Sequence, residues 1–140
     1  MSVEENKKIA IAVFPAAWND GDFGPAEQYV DAEVVDHFDN SRGIEAFKGV
    51  IKGFRSAFPD LRLTVHHEIA EGDLVVHHWT MTGTQQGAFQ GLPPTDKTLT
   101  WTGITIVRVD GGKIVERWAN VDVLAILQQL GVVPPPPGTE

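Results

Sequence analysis

The chain has 140 residues, a formal net charge of −8, 42% hydrophobic and 21% charged residues, a length and composition that suit one soluble domain around one core. Its Lys and Arg are not clustered, so it lacks the basic surface that nucleic acids and anionic membranes require. With no cysteine, disulfides, thiolate nucleophiles and Cys-based metal sites are excluded.

The first segment, residues 4–20, reads as a helix with Ile9, Val13 and Ala17 on one stripe and Trp18 beside it. Pro15 should kink it or end its regular part, because proline removes a helical hydrogen bond. Asn19-Asp20-Gly21-Asp22 is a stop signal. A short helix over Pro25–Val30 and a short strand over Val34–Phe38 follow. Residues 43–58 form the clearest amphipathic helix: Ile44, Phe47, Ile51, Phe54 and Phe58 recur at spacings of three and four and share a buried face.

After Pro59 the period changes. Leu61–Ala70 and Leu74–Thr84 alternate as strands around Glu71-Gly72-Asp73, and Thr98–Val109 and Lys113–Val121 form a second hairpin turning at Asp110-Gly111-Gly112. Between the hairpins lies a Gly-, Gln- and Pro-rich loop at 85–97 that could cover a cavity mouth. Val123–Leu130 is a short closing helix with Gly131 as its cap. The expected organisation is one domain over 1–133 and a Pro-rich tail at 134–140. Helices first and four consecutive antiparallel strands after them predict an α+β architecture. Leu99, Trp101 and Val107 fall on one face of their strand, Ile104 and Ile106 on the other. One face is expected to pack on helices or line a cavity and the other to meet a second copy, giving a homodimer. No window is long enough to span a membrane and MSVEENKK lacks the apolar stretch of a signal peptide, so the expected address is the cytoplasm.

Asp122 stands where the last strand meets the last helix, flanked by Trp118, Val121, Val123 and Leu124. Apolar surroundings disfavour a charged carboxyl, which makes such a group a candidate for proton transfer; Asp is equally a preferred helix N-cap. Residues two apart on a strand share a face, so Glu116, Trp118, Asn120 and Asp122 should lie together, Trp118 as a wall and Asn120 as a donor to a ligand. Arg108 could bind a ligand oxygen or pair with Glu116 across the hairpin. The pairs His66-His67 and His77-His78 fall nearly opposite each other, but neighbours on a strand face opposite ways, so no metal site is expected. One of each pair should face outward and one inward, with His78 taken as a ligand contact. Trp79, on a face with Val75 and Met81, and Phe14 and Trp18 on the first helix could complete an apolar wall.

The run GTQQGAFQGLPPTDK (Gly83–Lys97), then GITIVR (Gly103–Arg108), then GKIVERWANVDVLAILQQLG (Gly112–Gly131) resembles the SnoaL-like polyketide cyclases. Asp36-His37 and Phe58-Pro59-Asp60-Leu61 also fit, and the resemblance covers nearly the whole chain. It implies a cone-shaped barrel, a curved antiparallel sheet wrapped around N-terminal helices with an open apolar cavity. It also implies an intramolecular aldol condensation without metal or cofactor, in which Asp122 is the acid/base and His37 a catalytic partner. Gln85 and Asp96 stand where the family more often has histidine and glycine. The expected ligand is a hydrophobic, carbonyl-bearing small molecule. An epoxide hydrolase built from Arg108 and Asp122 on the same fold, and a carrier without catalysis, are the rival expectations.

Overall fold

The computed structural model describes residues 2–138. The elements in order are α1 (Val3–Asp20), α2 (Gly24–Tyr29), β1 (Val30–Asp36), β2 (Ser41–Arg42), α3 (Ile44–Ala57), β3 (Arg62–Glu71), β4 (Leu74–Thr84), β5 (Thr98–Asp110), β6 (Lys113–Val121) and α4 (Val123–Gln129). The Oγ of Ser2 accepts from the Glu5 N–H at 3.1 Å, satisfying one of the free donors at the start of α1. α1 does not end at Pro15; its regular pattern continues to Asp20. The carbonyl that proline leaves without a donor belongs to Ile11, on a turn whose side chain is exposed, where the loss is least costly. The helix stops at Gly21, whose φ of 64° lets its N–H reach the carbonyl of Ala17 and that of Asp22 the carbonyl of Ala16.

The strands form one curved, unclosed sheet in the order β2-β1-β6-β5-β4-β3. The pairings are antiparallel apart from β1 with β6, which is parallel because α3 and the long hairpins intervene between them. This parallel strand, Val30–Asp36, was foreseen only as the shorter segment Val34–Phe38. α1 and α3 cover the inner face, where Ile9, Val13, Phe14, Trp18, Phe47 and Ile51 meet Val75, Trp79, Met81, Leu99, Trp101 and Val107, all buried. Each such side chain contributes about 1.5–3 kcal/mol on burial. Leu99, Trp101 and Val107 do face inward, while Ile104, pointing the other way, is 45% exposed. At the free edge of the sheet, Asn19 takes the place of a neighbouring strand: its side chain accepts from Leu63 N at 2.6 Å and donates to Leu63 O at 3.2 Å.

The loop after β4 is organised by Gln85, which is fully buried. Its Nε2 donates to the carbonyls of Gly87, Leu92 and Pro93, and its Oε1 accepts from the Thr95 hydroxyl at 2.7 Å. The loop's Phe89 packs on Phe54 and Phe58, with ring centroids 5.5 and 5.6 Å apart.

Close packing beneath β5 depends on Gly103. A Cβ there would lie 2.2 Å from Trp79 Cζ2 and 2.9 Å from the Asn120 carbonyl, so the indole occupies the space a side chain would need. Gly103→Ala is therefore expected to lower the unfolding free energy by about 3 kcal/mol. Urea denaturation monitored by tryptophan fluorescence measures this, and a loss under about 1 kcal/mol would show that the indole shifts freely.

Candidate active site

Between the inner face of the sheet and helices α1 and α3 lies an apolar cavity. It is lined by Phe14 and Trp18 of α1, Phe38, Val50 and Phe54, and the inward side chains Leu63, Val65, His77, Trp79, Met81, Trp101, Thr105, Arg117 and Val121. Its free volume is only ≈ 20 Å³, room for about one water molecule, so any larger ligand must part the side chains around it. Phe14, Trp18 and Trp79, singled out from the sequence, belong to this lining. The polar groups that reach it are His77, Thr105 and Arg117.

His77 is buried, 3% exposed, with its ring edge-on to Phe14 at 6.0 Å. Its Nε2 lies 2.6 Å from Glu68 Oε2. An ionised carboxylate only accepts, so Nε2 carries a proton, and in the neutral ring the lone pair is on Nδ1. Among the described residues no protein group is hydrogen-bonded to Nδ1. A carboxylate that fixes one imidazole nitrogen and leaves the other free is the arrangement of an oriented general base. Thr105, opposite His77 on β5, accepts from Trp79 Nε1 at 2.9 Å and so holds the indole in the wall.

Arg117 is 5% exposed and Asp36 1%. They are partners in the parallel β1–β6 ladder, and Arg117 Nη1 donates to Asp36 Oδ2 at 2.8 Å. The guanidinium also lies against the Phe38 ring, 5.8 Å from its centroid. The second Asp36 oxygen accepts from Phe38 N at 2.9 Å.

The other residues singled out from the sequence lie elsewhere. Glu116, Trp118, Asn120 and Asp122 do share a side, but it is the outer one: the inward residues of β6 are Arg117 and Val121. Asp122 is exposed rather than set among apolar groups, and its Oδ1 accepts from Ala125 N at 3.0 Å, capping α4. His78, Asn120 and Asp122 border a shallow outer depression with Thr102 and Ile104. The inward member of its pair is His77, in phase with Val75, Trp79 and Met81, whereas His78 stacks on His67 with centroids 5.3 Å apart. His66 joins the outer set and contacts Thr80 Oγ1 at 2.7 Å, so neither of the pair His66-His67 faces inward. Among the described residues no group of three His, Asp or Glu converges as metal ligands.

His37, Glu116, Trp118 and Arg108 form their own outer cluster. The His37 ring stacks on Trp118 at 5.0 Å, its Nε2 is 2.6 Å from Glu116 Oε2, and Arg108 Nε donates to Glu116 Oε1 at 3.0 Å. Arg108 thus pairs with Glu116. It is six residues along β5 from Thr102, whose carbonyl receives the Asp122 N–H, so Arg108 and Asp122 are roughly 20 Å apart and do not assemble. The hydrogen bonds from His37 and then Arg108 hold the Glu116 carboxyl below its ordinary 4.5. A lowered folded-state pKa adds stability above the unfolded value and loses it as pH falls through the folded one. Glu116→Gln is therefore expected to destabilise at pH 7 and to cost progressively less below about pH 4.5. Urea midpoints at pH 7, 5 and 3 measure this, and a cost that stays constant with pH would show that the carboxylate charge contributes nothing.

A search among curated proteins found no match. Among solved structures the chain is similar to AclR from Streptomyces galilaeus, to which a hydroxylase activity is ascribed, at 30% identity and TM-score 0.85, covering 98% of this chain and 87% of that one. It is also similar to TsrD from Streptomyces laurentii at 27% identity and TM-score 0.87, covering 95% and 99%. A third is IdmH from Streptomyces antibioticus, to which polyketide cyclisation is ascribed, at 30% identity and TM-score 0.76, covering 89% and 98%. The family model described as SnoaL-like polyketide cyclase matches residues 8–130, and the chain belongs to that family.

Proposed function

We propose that the protein is a cofactor-free enzyme that removes a proton next to a carbonyl of a hydrophobic small molecule held in the interior cavity, the first step of a cyclisation or isomerisation. His77 is the base and Glu68 orients it. The observation that carries this reading is the 2.6 Å contact between His77 Nε2 and Glu68, made at the wall of a cavity otherwise dominated by aromatic and aliphatic groups. Abstraction from a carbon acid needs a base that is unprotonated, aimed and shielded from bulk water; the burial of His77 supports the last of these, and its Nδ1 is the atom assigned to take the proton. Asp122, the base that the family resemblance implies, lies on the outer face; it remains the rival base for a substrate bound there. Epoxide hydrolysis is less well supported, since Arg108 and Asp122 are far apart and the inner Arg117 has one carboxylate beside it rather than two. The outer face, where Ile104 is 45% exposed, is on this reading the surface on which a second copy docks.

Exchange of the acidic protons of a panel of 1,3-dicarbonyl compounds into heavy water, followed by NMR, reads the elementary step directly. Wild type is expected to exceed the buffer rate, His77→Gln to lose about a hundredfold and Glu68→Gln about tenfold, and Asp122→Asn to keep the wild-type rate. Loss in a folded Asp122→Asn with retention in His77→Gln would transfer the role to Asp122. Binding without exchange would mean a carrier. For assembly, sedimentation is expected to give a dimer for wild type and a monomer for Ile104→Arg; a monomeric wild type would overturn the docking surface.

A further inference from the structure

Arg117 is a charged group of the cavity that the base leaves unexplained; the Nε1 of Trp101, on the same wall, is also buried without an acceptor among the described residues. A guanidinium has five N–H donors, and among the described residues this one makes a single side-chain hydrogen bond, to Asp36. Its Nε is buried with no acceptor, although the residue lines the cavity. Buried donors without acceptors are costly and rare, and a site tolerates one where a ligand completes it. Arg117 also lies within reach of the same ligand as His77. His77 opposes Thr105 on β5 and Arg117 opposes Val107, two strands across and two residues along. Their Cα atoms are therefore roughly 12 Å apart, and both side chains extend inward across that gap.

We propose that Arg117 is the oxyanion donor of the cavity and that it selects ligands that are uncharged on entry: flat ketones or 1,3-diketones whose carbonyl oxygen meets the free guanidinium N–H while the adjacent C–H faces His77. The inference rests on the reading of the cavity as the reaction site. Charge balance carries it to this class. Asp36 already offsets the guanidinium at 2.8 Å, so a ligand arriving as a full anion would place uncompensated charge among Phe14, Trp18, Phe38 and Phe54. A neutral ketone adds none. When His77 Nδ1 takes the proton, the C–H electron pair becomes the enolate C=C bond and the carbonyl π pair moves onto oxygen. The products are an imidazolium beside Glu68 and an enolate oxygen beside Arg117, with net charge unchanged. The proton then returns from His77 to carbon, or to the alkoxide formed when the enolate carbon attacks a second carbonyl of the same molecule. Donors aimed at the oxygen where charge develops stabilise that charge more than the neutral carbonyl.

The probe is 2-naphthol, a flat phenol whose ionised form mimics an enolate and fluoresces distinctly. Bound to wild type, with the released proton held on His77 so that net charge is unchanged as in the reaction, its ionisation midpoint is expected to fall by about one pH unit, a roughly tenfold tighter hold on the ionised form. Removing Arg117 alone would strand a buried Asp36, so the variant is the pair Asp36→Asn and Arg117→Met. It is expected to bind neutral naphthol within about threefold of wild type and to show no shift. Arg117→Lys, which keeps the charge but not the planar fork, should leave about a twofold preference. A full shift in either variant would overturn the proposal, as would no shift or no binding in wild type. Tighter binding of 2-naphthoate than of 2-naphthol would replace the neutral-ketone class with carboxylates. Because the shift needs no turnover, it would survive if the dicarbonyl panel showed no exchange.

Discussion

Between Val65 and His67 the β3–β4 ladder slips by one residue, and the composition of the interior depends on that slip. Val65 opposes Trp79, yet beyond the bulge His67 opposes His78 and Glu68 opposes His77. In an unbroken antiparallel register His67 would stand across from His77 on the inner face and Glu68 would point to solvent. Two imidazoles would then face each other in an apolar wall with no carboxylate to accept from either. The extra residue rotates the strand, sends both His66 and His67 outward, and brings in the acceptor that His77 needs. One bulge thus separates a solvated histidine cluster on the outside from a buried, carboxylate-paired histidine within.

A second constraint acts on the far side of the cavity. The parallel pairing of β1 with β6 sets Asp36 beside Arg117, and without that neighbour a guanidinium this buried would be prohibitively costly. The pairing offsets the charge but leaves most of the donors idle. Gln85 shows how this chain treats a buried polar group whose role is structural: both ends of its amide are bonded to the loop it holds. Arg117 is not treated that way, and the proposed oxyanion role rests on that contrast.

Much of the architecture was legible in the sequence because period and parity survive folding. The phase of Ile44, Phe47, Ile51 and Phe54 predicted α3 within a residue at each end, and the alternation of Leu99 and Trp101 against Ile104 gave the faces of β5. Parity alone also groups His77 with Val75, Trp79 and Met81, so the inward histidine could have been chosen over His78. Which side of β6 faces inward was not legible, because Trp118 and Arg117 invert the usual expectation: the tryptophan stacks on His37 outside and the arginine is buried. Glu68 was hidden by the bulge and Asp36 by a parallel pairing between strands about eighty residues apart, and no local pattern encodes either. The N-cap geometry of Asp122 was readable from its place before a helix; its exposure depended on the same inversion of β6.

The division of labour between sheet and helices bears on how a cavity with so little free volume could act on a ligand. The ionisable and hydroxyl groups at the wall are anchored on strands: His77 on β4, Thr105 on β5, Arg117 on β6, each held by a ladder and by a second residue. The side chains that fill the space opposite, Phe14, Trp18, Val50 and Phe54, come from α1 and α3 and are held by packing alone. Parting these side chains costs contact area, whereas moving His77 or Arg117 would expose unpaired polar groups. The helices themselves are tied down, α1 to β3 through Asn19 and Leu63 and α3 to α1 through Arg55, so room for a ligand would come from side-chain rearrangement. On this account the size and shape of the ligand are set by residues of α1 and α3, and the chemistry performed on it by residues of the sheet.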